Sequence, residues 1–357
     1  MRMMRTMFAM VVVMAACGDN EKAPADASKV VDAAPMVDAA PTPVERGRYI
    51  MNNVAACTFC HTPLNPDGTR DNTRLFAGVD CLIDIPPCFG MAGCMSPPDP
   101  NDGFGCISSR NLTNDATGLK NATDMQIKDA FTNGKRTDGK SLAPVMPYYI
   151  FHNMTDADAN AIVAYLRTVP AVAHTVQANQ QPWASMNDSP TPVASPLDLA
   201  GIPMPVSSFP NQAGALRGRY LTSQIGLCLD CHTNANPNPM DPIPLDVTKY
   251  YQGGRQFTAE QLGLSTVGGA YPPVINTRNL TPDATGLMGW TALELKNAIS
   301  KGKDQMGKAV CAATHGGVTA TYAALAPADL DDIVSYLQSL APKVNDTSPN
   351  CQGPAVP

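Results

Sequence analysis

The pentapeptide CTFCH, Cys57–His61, occurs a second time with the same spacing as CLDCH, Cys228–His232. Each copy follows a closely similar stretch: RGRYIMNNVAACTFCHT covers residues 46–62, and RGRYLTSQIGLCLDCHT covers residues 217–233. A motif that returns with its own flanking sequence indicates that a whole unit has been repeated, and not a short motif alone.

Two further blocks recur in the same order in each half of the chain. Matched blocks in one order predict a tandem repeat of a single structural unit. The pairs are SRNLTNDATGL at 109–119 with TRNLTPDATGL at 277–287, and AIVAYLRTV at 161–169 with DIVSYLQSL at 332–340.

Each copy is expected to open and close with a helix. The apolar spacing before each CxxCH suits a helix, and Thr155 followed by Asp158 is similar to a capping box at the start of the first closing helix. Pro327 suits the first turn of the second closing helix. The apolar residues of that segment recur at helical spacing on one face: Leu330, Ile333, Val334 and Leu337.

The CxxCH motif puts two thiols and an imidazole within one helical turn. The thiols can reach the two vinyl groups of one haem, and the adjacent histidine can bind its iron. A redox dithiol leaves the repeated histidine unexplained, and no second CxxC or HxxxH lies nearby to complete a zinc site. The sequence therefore predicts two covalently bound haem c groups, attached and ligated by Cys57, Cys60 and His61 and by Cys228, Cys231 and His232.

On these motifs the chain resembles the bacterial dihaem c-type cytochromes, including the cytochrome subunits of membrane-bound alcohol and sugar dehydrogenases. The pattern GRY…CxxCHT…(S/T)RNLTxDxTGL…G…PxMPYY…D…AIxAYL covers nearly all of residues 46–169, and residues 217–340 match it except at 310–317. The resemblance implies an all-α fold of two tandem cytochrome c-like domains, rich in loops, each wrapped around one covalent haem.

The resemblance also implies roles for three further residues. Met146, in the PxMP loop, is the expected distal ligand of the first haem, with core filling as the other explanation of its place. Arg110 and Arg278, in the RNLT loops, are candidates to pair with the haem propionates, and a solvated arginine is the alternative.

The distal loop of the second copy departs from the pattern. Where the first copy has LAPVMPYY at 142–149, the second has VCAATHGG at 310–317, so that Thr314 takes the place of the methionine. We expect His315, beside that position, to be the distal ligand, with Met306 or an open or water-bound iron as alternatives. Met with His raises a haem's potential, so bis-His coordination predicts a lower potential at the second haem.

The N-terminus has the layout of an export signal. Two arginines precede an apolar run to Ala16 that is too short to cross a bilayer. The sequence MAAC at residues 14–17 resembles a lipobox, which predicts lipidation of Cys17, with simple cleavage near Ala16 as the alternative. We therefore expect an exported lipoprotein, anchored in a membrane and facing the periplasm.

The chain has eleven cysteines, and six remain after Cys17 and the four of the CxxCH motifs are assigned. An even remainder in an oxidising compartment predicts three disulfides. One is expected between Cys311 and Cys351. The pairing of the other four, which share one insertion, is left open: Cys81, Cys88, Cys94 and Cys106.

A length of 357 residues suits about two domains. Charged residues make up 16% with a net charge of −6 and no basic cluster, which argues against a nucleic-acid partner. The expected organisation is a signal peptide at 1–17, a disordered tether at 18–44, a cytochrome c domain at 45–170 with a Cys-rich insertion at 80–107, a linker at 171–214, a second cytochrome c domain at 215–342 and a tail at 343–357.

The predicted function is to pass single electrons between a donor, such as a dehydrogenase or another cytochrome, and a terminal acceptor. No catalytic residue is predicted for such a carrier. The alternative is a haem enzyme, peroxidase-like or sulfur-oxidising, that uses an exchangeable iron position in the second domain. The LFFDxRLS-type signature of dihaem peroxidases is missing from the sequence, and Cys311 already has an expected partner.

Overall fold

The computed structural model describes most of the chain beyond residue 40. Its described residues belong to one packed unit and are mainly helical, in agreement with the predicted class, with two small antiparallel sheets that were not expected. Among the helices described here, none combines the length and the hydropathy that a membrane-spanning segment requires. The described ranges are 41–66, 69–84, 106–181, 183–238, 241–257, 275–307, 310 and 321–348.

The first half contains five helices and one sheet within these ranges. A π-helical stretch, Ile50–Val54, extends the first helix, and a short 3-10 helix spans Asn72–Arg74. Strands β1 and β2 pair in antiparallel fashion. The elements are α1 Pro43–Tyr49, α2 Cys57–His61, β1 Val79–Asp84, β2 Cys106–Ser109, α3 Asp124–Asn133, α4 Tyr148–Phe151 and α5 Asp156–Leu166.

A short helix, α6 Trp183–Asp188, lies between the halves, and the described elements of the second half then repeat much of the order of the first. Strands β3 and β4 again form an antiparallel pair. These elements are α7 Gln212–Ser223, α8 Cys228–Cys231, β3 Gln256–Phe257, β4 Ile275–Asn276, α9 Ala292–Lys301 and α10 Pro327–Ser339.

The predicted starts of both closing helices are confirmed. The Thr155 side chain caps α5 by accepting a hydrogen bond from the backbone N–H of Asp158, and Pro327 occupies the first turn of α10. The Asp158 carboxylate does not complete a reciprocal capping box, because it pairs with Arg46 of α1 instead.

Helix α1 packs on α5, and α7 packs on α10, through one glycine in each RGRY sequence. A Cβ atom on Gly47 would lie 1.9 Å from the carbonyl oxygen of Ala161, and one on Gly218 would lie 2.0 Å from that of Asp332. Such close backbone approach leaves no room for a side chain. The repeated glycine is therefore a helix-crossing point in both halves.

An aromatic pair joins each closing helix to the loop that follows CxxCH. Phe76 meets Tyr165 edge to face with ring centroids 6.1 Å apart, and Tyr251 meets Tyr336 in the same way at 5.5 Å. Edge-to-face pairs of this kind add stabilisation beyond the apolar area that they bury. These rings belong to one hydrophobic core cluster that contains residues of both halves.

The segment predicted as a linker, 171–214, lies along the first half. The Asn187 side chain accepts a hydrogen bond from the backbone N–H of Ala143 at 2.8 Å, and the Tyr148 hydroxyl accepts one from Ala194 N–H at 2.9 Å. These contacts hold the linker against the loop that carries the PxMP sequence. The linker therefore contributes to the packing of the first half.

Candidate functional site

The histidines of the two CxxCH motifs make the same second contact. His61 Nδ1 lies 2.9 Å from the backbone oxygen of Arg110, and His232 Nδ1 lies 2.8 Å from that of Arg278. A carbonyl oxygen can only accept, so Nδ1 carries the hydrogen and the neutral ring has its lone pair on Nε2. Burial lowers the pKa of His61, which favours that neutral form. A backbone partner on one ring nitrogen is the usual arrangement for a histidine that binds metal through the other.

The rest of the RNLT motif fixes the carbonyl that holds each histidine. The Asn111 side-chain amide donates to the carbonyl of Val172 at 2.9 Å, and Asn279 donates to that of Lys343 at 2.8 Å. The Thr113 hydroxyl in turn donates to Asn111 Oδ1 at 2.8 Å. The loop is thereby attached to the segment after the closing helix, so the motif orients the histidine through its backbone.

The four CxxCH thiols are unpaired. Burial raises the pKa of Cys57 and Cys231 to about 12, and that of Cys60 and Cys228 to about 11. A redox dithiol works through a thiolate whose pKa is lowered. These raised pKa values disfavour the redox-dithiol interpretation, and the half-buried cysteines suit covalent attachment to a bound group.

The two motifs lie close together. Cys60 of the first half is near enough to Cys231 of the second to add to the effect of burial in raising the pKa of Cys231. An apolar cavity beside Cys228 is lined by Val54 from the first half as well as by residues such as Leu221 from the second. The two candidate haem sites thus border a common interior.

Arg278 has a buried donor that fits a propionate. Its guanidinium lies 4.9 Å from the centroid of the Trp290 ring and donates to the backbone oxygen of Gly286 at 3.2 Å. Its Nε is buried and has no hydrogen-bond partner among the described residues. A carboxylate would satisfy this charged donor. Arg110, by contrast, is exposed.

Of the three candidate distal ligands, two lie among the residues that the structure describes. Met146 is half-buried and packs against the main core cluster. Met306, the alternative in the second half, has a side chain that is 75% exposed. His315 lies outside the described residues.

One disulfide joins strands β1 and β2, between Cys81 and Cys106. This pairing belongs to the insertion whose connectivity the sequence left open. The remaining predicted cysteine assignments lie outside the described residues: Cys17, Cys88, Cys94, Cys311 and Cys351.

A polar contact that the sequence analysis missed ties α5 to both opening helices. Asp158 accepts hydrogen bonds from Arg46 Nε and Nη2, each at 2.8 Å, and from the Tyr220 hydroxyl at 2.7 Å. Arg46 belongs to the same half as Asp158, whereas Tyr220 belongs to the other half. Asp158 therefore holds its own half together and also binds the second.

The second half contains the equivalent contact. Asp329 of α10 accepts from Arg217 Nη2 at 2.9 Å within its half and from the Tyr49 hydroxyl of the first half at 2.8 Å. The arginine and tyrosine are the first and last residues of RGRY, and the aspartate occurs four residues before the isoleucine of each closing-helix block. This shared position was the signal that could have identified the contact.

A third missed contact lies at the second CxxCH motif. Asp230, between its two cysteines, accepts a hydrogen bond from the Tyr149 hydroxyl at 2.6 Å and pairs with Arg255 Nη1 at 2.8 Å. Tyr149 follows Met146 by three residues in the first half. The two halves therefore meet through a hydrogen bond from a tyrosine of the first half to a paired carboxylate next to the second candidate haem site.

Comparison with known proteins finds subunits of dehydrogenases, while no family model matches the chain. One relative, from the nicotinate dehydrogenase of Pseudomonas putida, is 28% identical over 300 residues, which is 83% of this chain and 21% of that protein. The fructose dehydrogenase cytochrome subunit of Gluconobacter japonicus is 26% identical over 312 residues, covering 84% of this chain and 53% of that subunit.

A diheme cytochrome c-type protein of Cereibacter sphaeroides is 32% identical over 130 residues, 36% of each chain. The chain thus spans about half, or less, of the length of these relatives. The repeated CxxCH motifs, their oriented histidines and these relatives agree: the chain is homologous to cytochrome subunits of dehydrogenases and to a dihaem c-type cytochrome.

Proposed function

We propose that this protein is a dihaem cytochrome c that passes single electrons from a donor dehydrogenase, or another cytochrome, to an acceptor. The observation that carries the proposal is the repeated proximal arrangement, in which His61 and His232 each direct Nδ1 to a backbone carbonyl. Bound at such sites, haem c supplies a one-electron iron couple.

The residues of the chain divide the work of holding each haem. Cys57 and Cys60, and likewise Cys228 and Cys231, are the proposed points of attachment, and the histidine that follows each pair is the proposed proximal ligand. The backbone of the RNLT loop fixes the ring orientation, which preorganises the metal site. Arg278 provides a buried donor for a propionate of the second haem.

We propose Met146 as the distal ligand of the first haem and His315 as that of the second. In support, Met146 is half-buried, and its loop is held by the linker through Asn187. A thioether ligand together with a histidine would favour the reduced iron more than two imidazoles would. The chain would then hold a higher-potential site in its first half and a lower-potential site in its second, which favours electron flow from second to first.

The domain boundaries and the location are part of the same proposal. The haem-binding domains are residues 45–170 and 215–342, and a lipid on Cys17 anchors the exported protein. In support of an electron-transfer role, the fructose dehydrogenase relative is itself a cytochrome subunit. A catalytic dehydrogenase subunit is accordingly the proposed class of partner.

Haem content tests the proposal. Intact-protein mass and haem absorbance should show two covalent haems in the wild type, produced in bacteria that attach haem c. The double variants Cys57→Ala/Cys60→Ala and Cys228→Ala/Cys231→Ala should each carry one, because each pair serves a separate site. Wild-type protein with no added haem mass, or with zinc instead, would overturn the proposal.

The disulfide provides a matched control. Cys81→Ala/Cys106→Ala also removes two cysteines of the first half, but these are paired with one another. This variant should retain two haems. Loss of a haem from it would mean that haem content reports general damage to the first half, and the haem loss in Cys57→Ala/Cys60→Ala would then not support attachment at that pair.

A further inference from the structure

The carboxylate of Asp230 joins three elements at the second CxxCH motif. It accepts hydrogen bonds from the Tyr149 hydroxyl at 2.6 Å and from Arg255 Nη1 at 2.8 Å, while the same Nη1 donates to the backbone oxygen of Asp230 at 2.7 Å. Asp230 lies between Cys228 and Cys231, the proposed attachment points of the second haem. A full ion pair is therefore built next to that site.

These groups are shielded from water. Arg255 is 4% exposed and Tyr149 is 3% exposed, and the Asp230 side chain is 18% exposed. Charges in such surroundings act over longer distances than charges at the surface, because the effective dielectric is lower and salt screens them less. Burial of two charges is also costly unless they are paired, as they are here.

The first half has a different arrangement at the same position. Phe59 stands where the second motif has Asp230, and the guanidinium of Arg70 lies 4.9 Å from the centroid of its ring. Arg70 also donates to the backbone oxygen of Thr62 at 3.0 Å. The residue between the paired cysteines is thus apolar in one half and anionic in the other.

We propose that Asp230 and Arg255 are positioning residues that set the reduction potential of the second haem, and that Tyr149 couples this pair to the first half. The inference rests on the proposed function, since it requires a haem at Cys228 and Cys231. Addition of an electron at that site is opposed by the negative charge of Asp230 and favoured by the positive charge of Arg255. The hydroxyl of Tyr149 offsets part of the aspartate's charge.

Two substitutions that should shift the potential of the second haem in opposite directions test this inference. In the full-length holoprotein, Asp230→Asn should raise the second haem's potential, and Arg255→Gln should lower it. We expect about a tenfold change in the oxidation equilibrium for each, which is about 59 mV for a one-electron couple. Spectroelectrochemical titration measures both haems, and the second is assigned by its absence from Cys228→Ala/Cys231→Ala.

Three further variants separate charge from structure. Tyr149→Phe should lower the potential of the second haem, because a hydrogen-bond donor to the Asp230 carboxylate is lost. The expected change in that haem's oxidation equilibrium constant is about threefold. Asp230→Glu, which keeps the charge, should leave the potential within about twofold of wild type. Asp331→Asn removes an exposed carboxylate of α10 that pairs with Lys296, and it should shift neither haem.

The outcomes distinguish the two proposals. A wild-type protein without two haems would refute the proposed function itself. Two haems, together with shifts of the same sign in Asp230→Asn and Arg255→Gln, would overturn the inference alone, because loosened packing and not charge would explain them. If Arg255→Gln gives no holoprotein, Tyr149→Phe is measured in its place. Its shift of the second haem's potential must then be opposite in sign to that of Asp230→Asn, and a shift of the same sign would overturn the inference.

Discussion

In the first half of the chain, the ring of Phe59 lies between the paired cysteines and beneath Arg70, whereas the second half has Asp230 there, paired with Arg255. The opening and closing helices show no such difference. Asp158 and Asp329 each bind an arginine of their own half and a tyrosine of the other.

The two halves therefore repeat the contacts that hold them together and differ in the contacts beside the proposed haems. Reciprocal contacts between equivalent residues are typical of an interface with two-fold symmetry. An interface of that kind can stay the same while the surroundings of each site change. Potential and stability should therefore respond to different substitutions.

The largest expected effect comes from the distal ligands. Met146→Ala should lower the potential of the first haem on the order of 0.1 V, within the about 0.8 V range over which axial ligands act. His315→Ala should instead produce a new high-spin signal at the second haem, because an imidazole ligand is lost. Redox titration and low-temperature EPR measure the two changes.

In each distal-ligand variant, the haem of the unaltered half is an internal control, because it should keep its potential and spin state. An unchanged first-haem spectrum in Met146→Ala would exclude that residue as the ligand. High-spin haem already present in the wild type would favour an open iron in the second half, and with it the alternative of a haem enzyme.

The next effect concerns the two aspartates. Asp158→Asn should destabilise the holoprotein by about 3 kcal/mol, because it removes one partner of a largely buried, two-point contact with Arg46. Asp329→Asn should cost less, about 1–2 kcal/mol, because Arg217 is 43% exposed and makes a single close contact. Urea unfolding measures both. Equal costs would show that exposure does not distinguish the two ion pairs.

Acid should reduce the free-energy cost of Asp158→Asn. Burial alone raises the pKa of Asp158, but hydrogen bonds from Arg46 and Tyr220 outweigh it and hold the pKa below its usual value. Such a carboxylate stabilises the fold above its unfolded pKa, about 3.9, and loses that contribution as the pH falls through the folded pKa. The advantage of wild type over Asp158→Asn should be complete at pH 6 and shrink below about pH 4.

An effect no larger than that of Asp329→Asn should come from the tyrosines that cross between the halves. Tyr49→Phe and Tyr220→Phe should each cost about 1–2 kcal/mol, since each loses its hydrogen bond to a carboxylate. Each also loses an acceptor for a backbone N–H, that of Ala326 at 3.0 Å for Tyr49 and that of Thr155 at 3.2 Å for Tyr220. In an Asp329→Asn background, Tyr49→Phe should cost less, which a double-mutant cycle measures. A full cost in that background would show that the hydrogen bond from the Ala326 N–H, and not the one to Asp329, accounts for the effect of Tyr49.

Much of the local structure follows from the sequence. The repeat, the closing helices and the CxxCH turns were evident because helical spacing, caps such as Thr155 and motif spacing are encoded by neighbouring residues. The same is true of the chemistry, since two thiols and an imidazole within one turn have few uses. Local physics thus determined the closing helices, the CxxCH turns and the proposed cofactor, but not the two small sheets.

Tertiary structure decided how the halves meet and what surrounds each site. Tyr49 and Asp329 are 280 residues apart, and Tyr149 and Asp230 are 81 apart, so no local pattern pairs them. The antiparallel pairing of β1 with β2 and the bond between Cys81 and Cys106 likewise join the two ends of an insertion, 25 residues apart. Contacts of this kind arise only when the chain packs, because burial and charge pairing act between whichever residues the fold brings together.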